Sequence, residues 1–151
     1  MAPPLGWRAS GVDPGGVWAP QPEQRAAGGQ TVADVRVLIV DDQAPFRSAA
    51  RSLVQRLAGW RVVGEAATGE DALTEFETVR PDVVLMDINL PGIDGIEATR
   101  RIVAEAPDAV VVLLSTYSEQ DLPEDARGCG AVAYVSKDAL TPGLLRTVSG
   151  H

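Results

Sequence analysis

Residues 84–95 read VLMDINLPGIDG. Three apolar residues, Val84 to Met86, lead into a carboxylate, Asp87, and the chain then meets Pro91, Gly92 and Gly95. An apolar run bounded by turn residues reads as a buried strand that carries a charged group out at its tip and then turns sharply. One aspartate after one strand is common. Its meaning depends on what else reaches the same end of the fold.

Working outward, the flanking sequence alternates between two periodicities. Residues 35–40 (VRVLIV) are β-branched and apolar, as in a strand buried on both faces. Residues 44–58 place Phe46, Ala50, Leu53, Val54 and Leu57 on one helical face, with Arg47, Arg51 and Arg56 elsewhere. Strands are predicted over 60–66, 82–86, 109–114 and 131–135, and helices over 69–79, 95–106, 119–128 and 142–148, the last with Pro142 in its first turn. Five strands alternating with five helices imply βαβ units: an α/β fold with a parallel sheet covered on both faces.

Residues 1–33 differ. They hold 11 of the chain's 26 Pro and Gly residues, so burial cannot offset their ordering entropy and no regular structure is expected. Trp7 and Trp18 read either as short docking anchors or as part of a loose extension. Charges within this segment cancel, so the net −8 falls on residues 34–151, expected to be one domain with a short final helix and no output domain.

The acidic balance argues against direct binding of nucleic acid through phosphates. No stretch is apolar enough to cross a membrane, and no secretory leader is evident, so the cytoplasm is expected. One cysteine, Cys129, excludes an internal disulfide. The one histidine, His151, excludes a Ser-His-Asp triad and a histidine zinc cluster.

In doubly wound sheets functional groups gather beyond the carboxyl ends of the strands. Strand one ends in Asp41-Asp42, strand three in Asp87, strand four in Ser115-Thr116, and strand five in Tyr134-Val135-Ser136-Lys137. Three carboxylates, a hydroxyl and an ammonium should therefore converge. Crowded carboxylates repel, raising at least one pKa unless a cation neutralises them. Mg2+ suits an all-oxygen set completed by substrate phosphate. Two acids would hold the metal, a third could attack phosphorus, and Lys137 would offer a point charge to phosphate oxygens. These are the parts of phosphoryl transfer. Lys137 is the only lysine against twelve arginines, which hints that a flexible ammonium is wanted there.

VLIVDD, VLMDINLPGIDG, VVLLST and GAVAYVSKD, in this order, resemble the receiver domain of two-component response regulators over residues 35–138. The resemblance implies a flavodoxin-like sheet in the order 2-1-3-4-5. It makes Asp87 the phosphoacceptor, Asp42 a direct Mg2+ ligand, Asp41 a neighbour acting through water, and Asn89 the donor of a backbone carbonyl to the metal. Ser115 and Thr116 would bind the phosphoryl group, Tyr134 would be the aromatic switch, and Lys137 the phosphate-binding lysine. It further implies a sensor histidine kinase as donor, an unknown downstream protein as target, slow autodephosphorylation, and no enzymatic turnover of other substrates.

Many receivers follow the lysine with proline, whereas Asp138 follows here. The Lys-Asp pair, EAATGEDAL and VDDQAPFR resemble a subfamily carrying a C-terminal helix-turn-helix domain. The short final helix leaves dimerisation through the face of the last strand and its flanking helices open. Three other readings stay open here. They are a truncated remnant of a DNA-binding regulator acting by kinase titration or mixed dimers, a non-phosphorylated interaction module, and a small phosphohydrolase. The dehalogenase-like form of the last wants an acid where Asn89 stands. Simpler roles also exist for single residues. Asp41 or Asp42 could cap the first helix, and Asp87 could serve only as a turn residue. Tyr134 could be a plain core aromatic, and Cys129 looks inert.

Overall fold

The computed structural model describes residues 34–116 and 123–151, and the backbone of Trp7–Ala9 and Val17–Pro20. In chain order the elements are β1 (Trp7–Ala9), β2 (Val17–Pro20), β3 (Val35–Val40), α1 (Ala44–Gln55), β4 (Trp60–Ala66), α2 (Gly69–Val79), β5 (Val83–Asp87), α3 (Gly95–Glu105), β6 (Val110–Ser115), β7 (Ala133–Ser136) and α4 (Pro142–Ser149). Two 3-10 turns, Glu124–Gly128 and Lys137–Ala139, are also present among the described residues.

The parallel part of the sheet runs β4-β3-β5-β6-β7. Counted among these five strands, that is the expected order 2-1-3-4-5. Order reverses between β3 and β5, so a cleft opens at their carboxyl ends.

Alternation along the strands builds two cores. Leu38, Val40, Val84, Met86, Val111, Leu113 and Tyr134 face one side, where α2 and α3 pack through Ala72, Phe76, Ile96 and Ile102. Val37, Ile39, Val83, Leu85, Val112, Leu114, Ala133 and Val135 face the other, against α1 and α4 through Val54, Leu144 and Leu145, with Leu57 just past α1. The central strands β5 and β6 are apolar at consecutive positions because neither of their faces meets water, whereas β4, with exposed Arg61, is covered less fully.

Helix starts follow local chemistry. Thr68 caps α2 by accepting from the Asp71 N–H at 3.0 Å, Asp94 caps α3 from the Glu97 N–H at 2.9 Å, and Thr141 caps α4 from the Leu144 N–H at 3.1 Å. Helix α1 begins differently. Its cap residue is Gln43, with no side-chain cap, and Pro45 is the second residue of its first turn. Capping therefore does not explain Asp41 and Asp42.

Two expectations need correcting. The predicted helix over 119–128 is, among the described residues, a 3-10 turn over Glu124–Gly128, and residues 119–122 lie outside the description. Gly128 and Gly130 flank Cys129 there, and Gly130 takes φ 105°, which breaks a regular helix. In the first 33 residues, where no regular structure was expected, β1 pairs antiparallel with β2, and β2 pairs antiparallel with β7 (Val17 opposite Val135, Trp18 opposite Tyr134). An edge strand offers unpaired backbone groups, and a segment poor in core-forming residues can still satisfy them. The rest of residues 1–33 lies outside the description.

Candidate functional site

Strands β3 and β5 are neighbours in register, with Val40 opposite Met86, so Asp41 and Asp87 leave the sheet side by side. Asp41, Asp42 and Asp87 each present an oxygen, and these lie within 4.8 Å of one another. Asp41 and Asp87 are buried and Asp42 is exposed. The 3-10 turn after β7 brings in Lys137. Its Nζ lies 2.6 Å from Asp41 Oδ2 and 3.6 Å from Asp87 Oδ2.

Backbone groups hold the acids. Asp41 Oδ1 accepts the Gln43 N–H at 2.8 Å, and Asp87 Oδ1 accepts the Asn89 N–H at 3.2 Å. The turn-residue reading of Asp87 is thus half of what it does, since its second oxygen faces the ammonium. Asp41 Oδ2 has the ammonium as charge partner but no donor aligned for a hydrogen bond.

The turn after Asp87 is shaped to clear this space. Gly92 takes φ 77°, and a Cβ on Gly95 would stand 2.0 Å from the Asp87 carbonyl oxygen, so only glycine allows α3 to start so close to β5. Glu70, at the start of α2, accepts from the Ile93 N–H at 3.2 Å and ties this turn to its neighbour.

Electrostatics follow from the crowding. Asp87 is pushed up to about 6, first by burial and then by the Asp41 charge, with a smaller push from Asp42; Lys137 and the Asn89 N–H pull it down. Two buried acids and one exposed acid against one ammonium leave net negative charge. An all-oxygen cluster of this kind, with a buried carboxylate oxygen lacking an aligned donor, fits a hard divalent cation such as Mg2+. Asp41 has a backbone amide on Oδ1 and the Lys137 ammonium beside Oδ2, whereas Asp42 is exposed at the rim.

Ser115 ends β6, one position beyond the residue opposite Asp87, and lies opposite Ser136 of β7; it is buried, whereas Thr116 is exposed. Tyr134 is buried in the α2–α3 core, pointing to the opposite sheet face from Val135. Asn89 is exposed at the rim. Cys129 is buried, burial pushes its thiol pKa up, and its Sγ donates to the Ala126 carbonyl at 3.2 Å, which fits an inert role.

Two contributors escaped the sequence reading. Phe46 lies under Lys137, with Nζ 4.5 Å from its ring centroid. Arg47 donates from Nη1 to the Asp41 carbonyl at 2.6 Å and from Nε to Glu65 at 3.2 Å, and Arg51 also pairs with Glu65. Helix α1 is thereby fastened to the acidic loop. Only the Asp-Asp-(x)3-Phe-Arg spacing, which puts both residues in the first turn of α1, could have signalled them.

An open parallel sheet with an acidic rim and a lysine reaching over it defines a flavodoxin-like protein with its site at the strand-order reversal. A family model described as the response regulator receiver domain matches residues 37–149, and the chain belongs to that family, the receiver domains of two-component systems. It is 42% identical over 105 residues to the response regulator UvrY of Escherichia coli (strain K12), covering 70% of this chain and 48% of UvrY. The chain thus spans about half the length of the curated relatives it matches. Among solved structures, a LuxR-family two-component response regulator from Aurantimonas sp. SI85-9A1 superposes with TM-score 0.68 at 34% identity, over 75% of this chain and 80% of that one. This agrees with the subfamily to which the Lys-Asp pair pointed. A chain of the CheX-CheY-BeF3-Mg2+ complex from Borrelia burgdorferi matches with TM-score 0.65 at 28% identity, over 77% of this chain and 87% of that one. No helix among the described residues is long and apolar enough to cross a membrane.

Proposed function

We propose that this receiver takes a phosphoryl group from the phosphohistidine of a sensor histidine kinase onto Asp87. The observation that carries the reading is the meeting of Asp41, Asp42 and Asp87 with Lys137 at one rim. An Asp87 carboxylate oxygen attacks phosphorus, the phosphorus–nitrogen bond breaks, and the histidine leaves, regaining its proton. The nucleophile must be ionised, and Lys137 assists by favouring the charged form.

Asp42 and Asp87, with the Asn89 carbonyl and Asp41 through water, would hold Mg2+, which would neutralise the acids and the phosphoryl oxygens. Lys137 then offers its ammonium to one phosphoryl oxygen and Ser115 its hydroxyl to another, with Thr116 at the rim. Hydrolysis of the acyl phosphate by water returns Asp87 slowly to its free state.

The output is a change in the face formed by β7, the 137–139 turn and α4, with Tyr134 in β7 as the moving aromatic. A downstream protein reads that face in the cytoplasm, with no direct contact to nucleic acid by residues 34–151.

Incubation with acetyl phosphate and Mg2+, followed by intact-mass measurement, tests the reading. A gain of one phosphoryl group on the natural chain, dependent on Mg2+ and lost in Asp87→Ala, is expected. An adduct that survives in Asp87→Ala would sink it.

A further inference from the structure

Lys137 is held at three points. Two are carboxylates, Asp41 Oδ2 at 2.6 Å and Asp87 Oδ2 at 3.6 Å. The third is the Phe46 ring, with Nζ 4.5 Å from its centroid. Ring and ammonium come from opposite ends of the receiver unit: Phe46 from the first turn of α1, Lys137 from the turn after β7.

The ring is itself fixed. Its backbone N–H donates to the Gln43 carbonyl at 3.0 Å, and its side chain packs half-buried on the α1–α4 core. An ammonium on a flexible four-carbon stem has many positions open to it, and water competes for its protons. An aromatic face presents negative potential without accepting a proton, and it excludes water from the side that it covers. The Lys137 side chain is only 13% exposed. Nothing in a phosphate-binding lysine requires an aromatic floor, and a leucine would fill the same space for core packing alone.

We propose that Phe46 is a positioning residue for Lys137. Its ring holds the ammonium between Asp41 and Asp87, poised to pass from the first carboxylate to an anion attached to the second. The inference rests on the reading of Asp87 as phosphoacceptor. The ring's effect runs through the lysine.

Lys137 is the only lysine in the chain, so lysine labelled with 13C at Cε and 15N at Nζ gives one side-chain signal. In the natural protein the Cε protons should be shifted upfield by the ring current. Phe46→Leu should bring them to the position of a solvated lysine, and Phe46→Trp should keep or enlarge the shift. In parallel, calorimetry with beryllofluoride and Mg2+ should show about fivefold weaker binding in Phe46→Leu, with recovery in Phe46→Trp. Phe46→Met, another apolar filler without a ring face, gives the same two readings if the leucine variant folds poorly.

A purely structural ring would lower thermal stability in the aliphatic variants while leaving anion affinity unchanged, and that result overturns the proposal. Unchanged lysine shifts in Phe46→Leu overturn it too. If the natural protein itself takes up no beryllofluoride, the phosphoacceptor reading falls and this inference falls with it. Binding that is equally tight in Phe46→Leu defeats this inference alone.

Discussion

The two halves of the sheet are clothed differently. Strands β3, β4 and β5 are covered by α1, α2 and α3, of 12, 11 and 11 residues. Beyond β6, the described cover shrinks to a five-residue 3-10 turn and the eight-residue α4. The site straddles this boundary. Its three acids come from the well-covered half, and its ammonium comes from the thin one. A charged group on a lightly packed element is easier to move than one on a rigid strand end. The asymmetry therefore puts the acids on the more heavily covered part of the rim and the lysine on the part with less cover among the described residues.

The hardest blow to that contrast comes from emptying the thin half. Leu145 is fully buried in α4, in the same core cluster as Val112, Leu114 and Val135. Leu145→Ala should cost about 3 kcal/mol. Native-state hydrogen exchange should show the loss concentrated in β7 and residues 137–148, with β3 and β5 keeping their protection. Equal loss everywhere would show that the two halves open as one.

The next largest effect concerns the fixed half. Burial and the neighbouring acids raise Asp87 to about 6 from an unfolded value near 3.8. Between these values the folded state keeps a proton that the unfolded state releases. Stability therefore falls as pH rises from about 4 to about 6, and the full penalty is present above that range. With a chelator present, Asp87→Asn should be more stable than the natural protein by about 1–3 kcal/mol near neutral pH, the attraction to Lys137 being already counted in the raised value. Urea titrations should show the advantage vanishing near pH 4. An advantage that grew on acidification would contradict the assigned cause.

The finest comparison sets one cap against another. Thr68 and Thr141 make the same hydrogen bond at the starts of α2 and α4. Each Thr→Ala change should cost about 1 kcal/mol. Helix α4 has fewer turns over which to recover, so Thr141→Ala should fray its helix measurably by amide exchange while Thr68→Ala leaves α2 intact. Equal fraying would remove the distinction between the halves.

Much of this was legible in the residues. Apolar runs bounded by turn residues placed β3 to β7 within a residue or two, most sharply for β5 and β6, which are buried on both faces. The convergence of Asp41, Asp42, Asp87 and Lys137 followed from one topological rule applied to strand ends. What escaped depends on distance along the chain. The Phe46–Lys137 contact joins residues whose local patterns are complete without each other, since Phe46 also satisfies the apolar face of α1. The 124–128 turn carries helix-compatible residues, and the glycines around Cys129 cut it short. The pairing of β2 with β7 is decided by an unpaired edge elsewhere in the fold, and nothing in the sequence Val-Trp-Ala-Pro announces that edge.

That last pairing has a practical side. All strands of the receiver unit run the same way, yet β2 meets β7 head to tail and moves the sheet's open edge outward to β1, with a stretch lying ahead of the family match. A version trimmed to start at Asp34 would leave a bare ribbon of amides and carbonyls beside Tyr134 and Val135, a surface on which neighbouring molecules can stack. Amide exchange in β7 should run faster in such a shortened form than in the longer one, and equal rates would show that β2 does not protect that strand.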